Sequence, residues 1–142
     1  MDAGAREWPA TLDALPGIGA WVAERAQAAG AALDAAQDLR LAVEEIVTNA
    51  ITHGGATRLV VRIEGGAGAV TAVVRDDARP FDPRQAPEPD LDASLEQRRV
   101  GGLGWYLVRR LMHDIRHRPL AAGGNEVTLV RRLDGGRPAS GT

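Results

Sequence analysis

In the stretch "LAVEEIVTNAITHGGA", residues 41–56, Glu45, Asn49 and His53 follow one another at four-residue intervals. A helix turns by about 100° per residue, so this spacing stacks an acid, an amide and an imidazole on one side. Thr48 and Thr52 fall with them, while Val43, Ile46, Val47 and Ala50 cluster opposite. One face packs and the other presents oxygen and nitrogen groups that could bind a polar ligand or a metal ion. Taken alone, such a stripe is more often a solvated surface. A lone His53 likewise reads first as a C-terminal helix residue favoured by the dipole. The assignment therefore depends on what the rest of the chain supplies.

Two further stretches supply it. "VVRDDARPFDP" brings a strand to an end with two aspartates and turns at Pro80. An Asp-rich strand exit is common, but a carboxylate at that end, Asp76, can accept a hydrogen bond from the exocyclic amine of adenine. "RRVGGLGWYLVRR" sets Gly101, Gly102 and Gly104 directly before a helix. Glycines there let backbone N–H groups approach an anion, and the helix N-terminus favours phosphate. Glycine also serves plain tight turns, so the loop is informative only in company.

The elements that must position these residues are legible in outline. After an extended start around Arg6 to Ala10, "TLDALPGIGAWVAERAQAAG" spaces Leu15, Ile18, Trp21 and Val22 at helical intervals and stops at Gly30, with Pro16 suited to a first turn. A second helix starts near Asp34 or Asp38 and runs to about His53, ended by Gly54-Gly55. "TRLVVRIEG" and "AVTAVVRDD" read as strands joined at "GGAG" into a hairpin. Between Pro80 and Val100 no period survives, and Pro80, Pro83, Pro87 and Pro89 interrupt the chain. A loop of that length inside a compact domain is usually functional or disordered, and it is taken as a lid over about 80–100. Helical spacing returns through Leu103, Leu107, Val108 and Leu111, followed by strand-like runs at Ile115 to Arg118 and Asn125 to Leu133. Residues 1–133 are expected to form one domain, and 134–142 a disordered tail. The order of helices, hairpin, lid, helix and hairpin implies an α+β sandwich on a mixed or antiparallel sheet.

Composition narrows the chemistry. At 142 residues with 44% hydrophobic content, the chain can bury a core without staples, and with 4% aromatics that core must be aliphatic. A net charge of -2 from 17 basic and 19 acidic residues offers no field for nucleic acid. No cysteine is present, which removes thiol nucleophiles, disulfides and thiolate zinc sites. No lysine is present either, so Walker A loops, eukaryotic-type kinase sites and Schiff-base chemistry are excluded. There is no run of apolar residues long enough to span a membrane and no signal-peptide layout, so a cytoplasmic location is expected.

Jointly and in this order, the three segments resemble the nucleotide-binding boxes of the histidine-kinase-like (GHKL) ATPase superfamily, and within it the bacterial anti-sigma-factor serine/threonine kinases. "EEIVTNAITHG" is similar to their acid-amide box, "DDARPFD" to their adenine box, and "GGLGWYLVRRLMHDI" to their phosphate box and the helix after it. The likeness runs from about Leu12 to Leu133. It implies a Bergerat-type, two-layer α+β sandwich with helices on a mixed, mainly antiparallel sheet. It also implies ATP and Mg2+ as cofactors, with Asn49 on the metal, Glu45 as general base and Asp76 reading adenine. Gly102 and Gly104 would give backbone donors to the phosphates, and Arg98 or Arg99, here taken as Arg99, would supply positive charge to the transferring group. His53, Ala78, Leu103 and Thr128 complete the implied nucleotide-binding set. Two positions depart from the family pattern. Ala78 stands where glycine is usual, and its methyl would weaken binding if the backbone needs positive φ or touches the base. Trp105 replaces a smaller aliphatic and is expected to pack in the core.

The implied function is an ATP-dependent protein serine/threonine kinase acting as an anti-sigma factor and phosphorylating an antagonist protein. Its partners would be a sigma factor and that antagonist, with no direct nucleic-acid or membrane contact, in a homodimer. The alternative is an ATP-binding module without phosphotransfer that regulates a partner by binding alone. The ATPase half of a sensor histidine kinase is disfavoured, because the N-terminal region is too short for a dimerisation hairpin with its phosphoacceptor histidine.

Overall fold

Alternation along the strands decides which side chains meet the helices. In the computed structural model, which describes residues 4–82, 100–134 and 136–138, the strands are β1 (Ala5–Pro9), β2 (Arg58–Gly66), β3 (Ala69–Asp76), β4 (Asp114–Pro119) and β5 (Asn125–Arg132). The helices are α1 (Leu15–Ala28), α2 (Leu33–Thr52) and α3 (Val100–Leu111). The sheet order is β1-β2-β3-β5-β4, and all its pairings are antiparallel. The expectation that allowed a mixed sheet thus resolves to an antiparallel one, because hairpins join β2 to β3 and β4 to β5 and the remaining neighbours also run in opposite directions. Most of the lid expected over 80–100 lies outside the described residues.

Every second residue faces the helices. Leu59, Val61 and Ile63 of β2, Val70, Ala72 and Val74 of β3, and Val127 and Leu129 of β5 are buried against Ile18, Val22, Leu39, Val43, Val47 and Val108. Trp105 joins this core at 2% exposure, as expected for an aromatic at helical spacing. The same parity carries three polar residues inward: Asp76 at the end of β3, and Asn125 and Arg131 near the two ends of β5, all buried.

Helix α2 starts at Leu33, one residue before the earlier of the two expected positions. Its apolar side, with Val43, Ile46, Val47 and Ala50, is buried, whereas Glu45, Thr48 and Asn49 are half-buried and Thr52 is exposed. Thr48 and Thr52 donate to the carbonyls of Glu44 at 2.7 Å and Thr48 at 2.8 Å. Their hydroxyl protons are thereby committed to the helix itself, which leaves Glu45 and Asn49 as the groups on this face available for chemistry.

Past β5 the chain does not simply trail away. Arg137, within the segment expected to be disordered, makes a bidentate contact to Asp38 at 2.9 and 3.0 Å, and Arg131 reaches the same carboxylate at 3.2 Å.

Candidate nucleotide site

The site forms where β3 ends, where α2 reaches its last turns and where α3 begins. Asp76 is 7% exposed, and its Oδ1 accepts hydrogen bonds from the Ala78 N–H at 2.9 Å and from Asn125 Nδ2 at 3.1 Å. Both of these bonds fall on one oxygen, Oδ1. Burial pushes the Asp76 carboxyl above the ordinary aspartate range, against the pull of hydrogen bonds from the Asn125 side chain and from the Ala78 and Asn125 backbone.

The turn after β3 is fastened to the end of α2. Asp77 accepts from the Thr57 N–H at 2.7 Å, from the Thr57 hydroxyl and from the Arg58 N–H at 3.1 Å. The Thr57 hydroxyl and backbone bonds pull its pKa down to about 2. Arg79 donates through its backbone N–H to the Gly54 carbonyl at 3.0 Å and through Nη2 to the His53 carbonyl at 2.5 Å. The turn that carries Asp76 is thereby bound to the carbonyls just past α2, while the Asn49 and Ala50 carbonyls of its last turn accept from the His53, Gly54 and Ala56 N–H groups. His53 itself caps α2 with an exposed side chain.

Ala78 fits this turn through glycine at another position. Its φ is not positive, since Ala67 alone among the described non-glycine residues has positive φ. At 4% exposure its methyl group has almost no surface to offer a base. The methyl fills the space left by Gly54, where an added Cβ would lie 2.6 Å from the Ala78 Cβ and 2.9 Å from the Ala50 carbonyl oxygen. Ala78→Gly is therefore expected to leave nucleotide affinity nearly unchanged. Gly54→Ala should destabilise the fold by about 1–3 kcal/mol through overpacking, and the double variant should recover part of that loss. Thermal denaturation of the three variants measures both effects; equal melting of wild type and Gly54→Ala would refute the packing account.

Glu45 lies against the start of α3. A Cβ built on Gly104 would stand 1.7 Å from Glu45 Oε2, so any other residue at 104 would displace the carboxyl. Burial, then the neighbouring charge of Glu44, raises the Glu45 pKa. Helix α3 begins at Val100, so Gly101, Gly102, Leu103 and Gly104 form its first turns and not a loop ahead of it. Only the first four or so N–H groups of a helix have no internal acceptor, so the N–H of Gly102 suits the donor expected for phosphate, whereas that of Gly104, the fifth residue of α3, falls within the helix's own hydrogen-bonding pattern. Asn49 sits one turn beyond Glu45 on the same side of α2. Arg98 and Arg99 lie outside the described residues.

Thr128 is the expected site residue that the fold sends elsewhere. It pairs with Val73 and Arg116 and points to the sheet face opposite the helices, because it alternates with the buried Val127 and Leu129. The residue on the Asp76 side is Asn125, paired directly with Asp76 in the register. The sequence carried a signal for it: the apolar parity of Val127 and Leu129 already dictates that Asn125 faces inward and Thr128 outward. Among the described residues no group of three or more His, Asp or Glu side chains is arranged to hold a metal ion. None of the described helices is long and apolar enough to cross a membrane.

Comparison with known proteins supports the family that the three segments resemble. Residues 8–131 match the family model of the histidine kinase-like ATPase domain. The chain is also 31% identical over 89 residues to the serine/threonine-protein kinase BtrW of Bordetella bronchiseptica, a match covering 63% of this chain and 62% of that protein. The chain thus spans somewhat less than two thirds of the length of the relative it matches.

Proposed function

We propose, from the premise that this chain belongs to the histidine kinase-like ATPase domain family, that it is a protein serine/threonine kinase using ATP to phosphorylate a regulatory partner. The observation that carries the reading is the Glu45 carboxyl, raised in pKa and set against Gly104 in the first turns of α3. A base there stands beside the N–H donors that would hold the phosphates. The base can take the proton of an attacking seryl or threonyl hydroxyl as its oxygen bonds to the γ-phosphorus. The bond from that phosphorus to the bridging oxygen breaks, and ADP leaves with the electron pair. Asp76 Oδ2 accepts the exocyclic amine of adenine and fixes the far end of the nucleotide.

The donor set fits magnesium. This ion prefers one or two protein oxygens together with phosphate oxygens and water, and Asn49 offers an amide oxygen one turn from Glu45. When bound, the ion neutralises charge on the phosphates. The relative's name is that of a serine/threonine kinase, which supports the reaction class. An anti-sigma role, with a sigma factor and a phosphorylatable antagonist as partners and a homodimeric state, follows from the family resemblance of the three boxes.

Titration of the protein with ATP in the presence and absence of magnesium tests the nucleotide reading. Asn49→Ala is expected to lose about tenfold to a hundredfold in affinity for the magnesium complex, the worth of one strong polar contact. The variant should match wild type when the metal is withheld. Equal affinities in magnesium would detach this face of α2 from the metal.

A further inference from the structure

We propose that His117 is a positioning residue for base recognition, acting through the Asn125 amide on Asp76. The proposal rests on the reading that Asp76 receives the amine of adenine. Asn125 is 4% exposed, and its hydrogen-bonding positions are filled on both sides. Its Oδ1 accepts from the Phe81 N–H at 2.9 Å, and its Nδ2 donates to the Arg79 carbonyl at 3.0 Å and to Asp76 Oδ1 at 3.1 Å. A backbone N–H can only donate and a backbone carbonyl can only accept, so these two contacts settle which end of the amide is oxygen.

His117 Nε2 lies 2.8 Å from that oxygen. It must therefore carry a hydrogen, which fixes a directional chain: His117 Nε2–H to Asn125 Oδ1, then Asn125 Nδ2–H to Asp76 Oδ1. The register explains the reach. On β4, Pro119 stands opposite Asn125, and His117, two residues earlier on the same face, is its diagonal neighbour. The imidazole is nearly enclosed, its side chain 7% exposed, with Nδ1 4.0 Å from Asp82 Oδ2.

The consequence is chemical selectivity. With the Ala78 N–H and the Asn125 Nδ2 both on Oδ1, the carboxylate is held in one orientation and presents Oδ2 to the base as an acceptor. A base that offers a donor at this edge is received, and one that offers a carbonyl meets lone pair against lone pair. Removing the imidazole takes one of the two donors from Asn125 Oδ1 and opens a void beside the amide, which loosens the link that orients Asp76.

The test compares ATP with inosine triphosphate, which has a carbonyl in place of the amine, by calorimetry on the full chain. His117→Leu is expected to cut the preference for ATP by about five- to tenfold, the effect of one buried hydrogen bond. His117→Gln, whose amide nitrogen can take the place of Nε2, should keep the preference within about twofold of wild type. A merely structural role would lower affinity for both nucleotides alike. A folded His117→Leu protein with the wild-type ratio, or a His117→Gln protein that loses as much as His117→Leu, overturns the proposal. Should His117→Leu not fold, magnetic resonance on wild type with labelled histidine decides. The Nε2–H signal should shift with ATP and much less with inosine triphosphate, and equal responses to both overturn the proposal. A wild type that binds the two nucleotides equally removes the adenine reading and the proposal with it. A discriminating wild type matched by an equally discriminating His117→Leu protein removes the proposal alone.

Discussion

Replacing Glu45 by alanine is expected to leave ATP and partner binding intact while slowing phosphotransfer by about 10²- to 10⁴-fold, the usual contribution of a general base. In the proposed site the separation arises because the carboxylate would meet the hydroxyl proton only as the transition state forms, whereas nucleotide affinity would come from Asp76, Asn49 and the start of α3. Removing a negative charge beside the triphosphate does not weaken binding and can tighten it slightly. The same assignment sets the sign of the pH response. Glu45 works as a base only when ionised, and burial together with Glu44 raises its pKa. Wild-type turnover should therefore decline on the acid side at a higher pH than an ordinary glutamate would give. Labelled ATP and an antagonist bearing an acceptor serine provide the assay. Full activity of Glu45→Ala would remove the base. A wild type that binds ATP and its genuine antagonist yet transfers no phosphate would favour a module acting by binding alone.

The parts of this site that the sequence makes legible are those set by local periodicity. The four-residue spacing of Glu45 and Asn49 places them on one side of α2 whatever the helix packs against, and the apolar side of that helix is buried as the wheel requires. The β2–β3 hairpin and the strand end at Asp76 follow from alternation and turn residues in the same way. Contacts that close over long stretches of chain were not legible. The Asn125–Asp76 pair joins residues 49 apart, and it exists because β5 inserts between β3 and β4, an order that no local pattern encodes. Strand parity is legible by contrast: alternation with the buried Val127 and Leu129 turns Thr128 away from the helices and Asn125 toward Asp76. Ala78 is the instructive case of compensation, since a methyl that looks intrusive beside a base is accommodated by Gly54, distant in sequence and adjacent in space.

Asp38→Ala is expected to destabilise the protein by about 3–5 kcal/mol, because it strands a buried cation. Asp38 and Arg131 are each 2% exposed, and the Arg131 Nε already lacks a hydrogen-bond partner. Without the carboxylate, the guanidinium would keep only its bonds to the Arg132 carbonyl at 2.9 Å and the Gly136 carbonyl at 2.7 Å. Against the roughly 5–15 kcal/mol that holds a typical domain together, such a loss is large. It should lower the melting temperature by on the order of 10 °C at this chain length. Arg137→Ala removes only the exposed partner, whose side chain is 63% accessible, and should melt close to wild type because solvent screens that contact. Replacing both buried partners, as Asp38→Leu with Arg131→Met, should recover most of the loss, since an apolar pair carries no desolvation penalty. The pair bears on function through geometry. Arg131 and Asn125 lie near opposite ends of β5, and Asp38 and Asn49 lie in opposite halves of α2. The ion pair thus pins at one end the two elements whose other ends carry the site. Thermal melts of the single and double variants decide the matter. Unchanged melting of Asp38→Ala would show that Arg131 finds water or another partner, and that α2 and β5 are held by apolar packing alone.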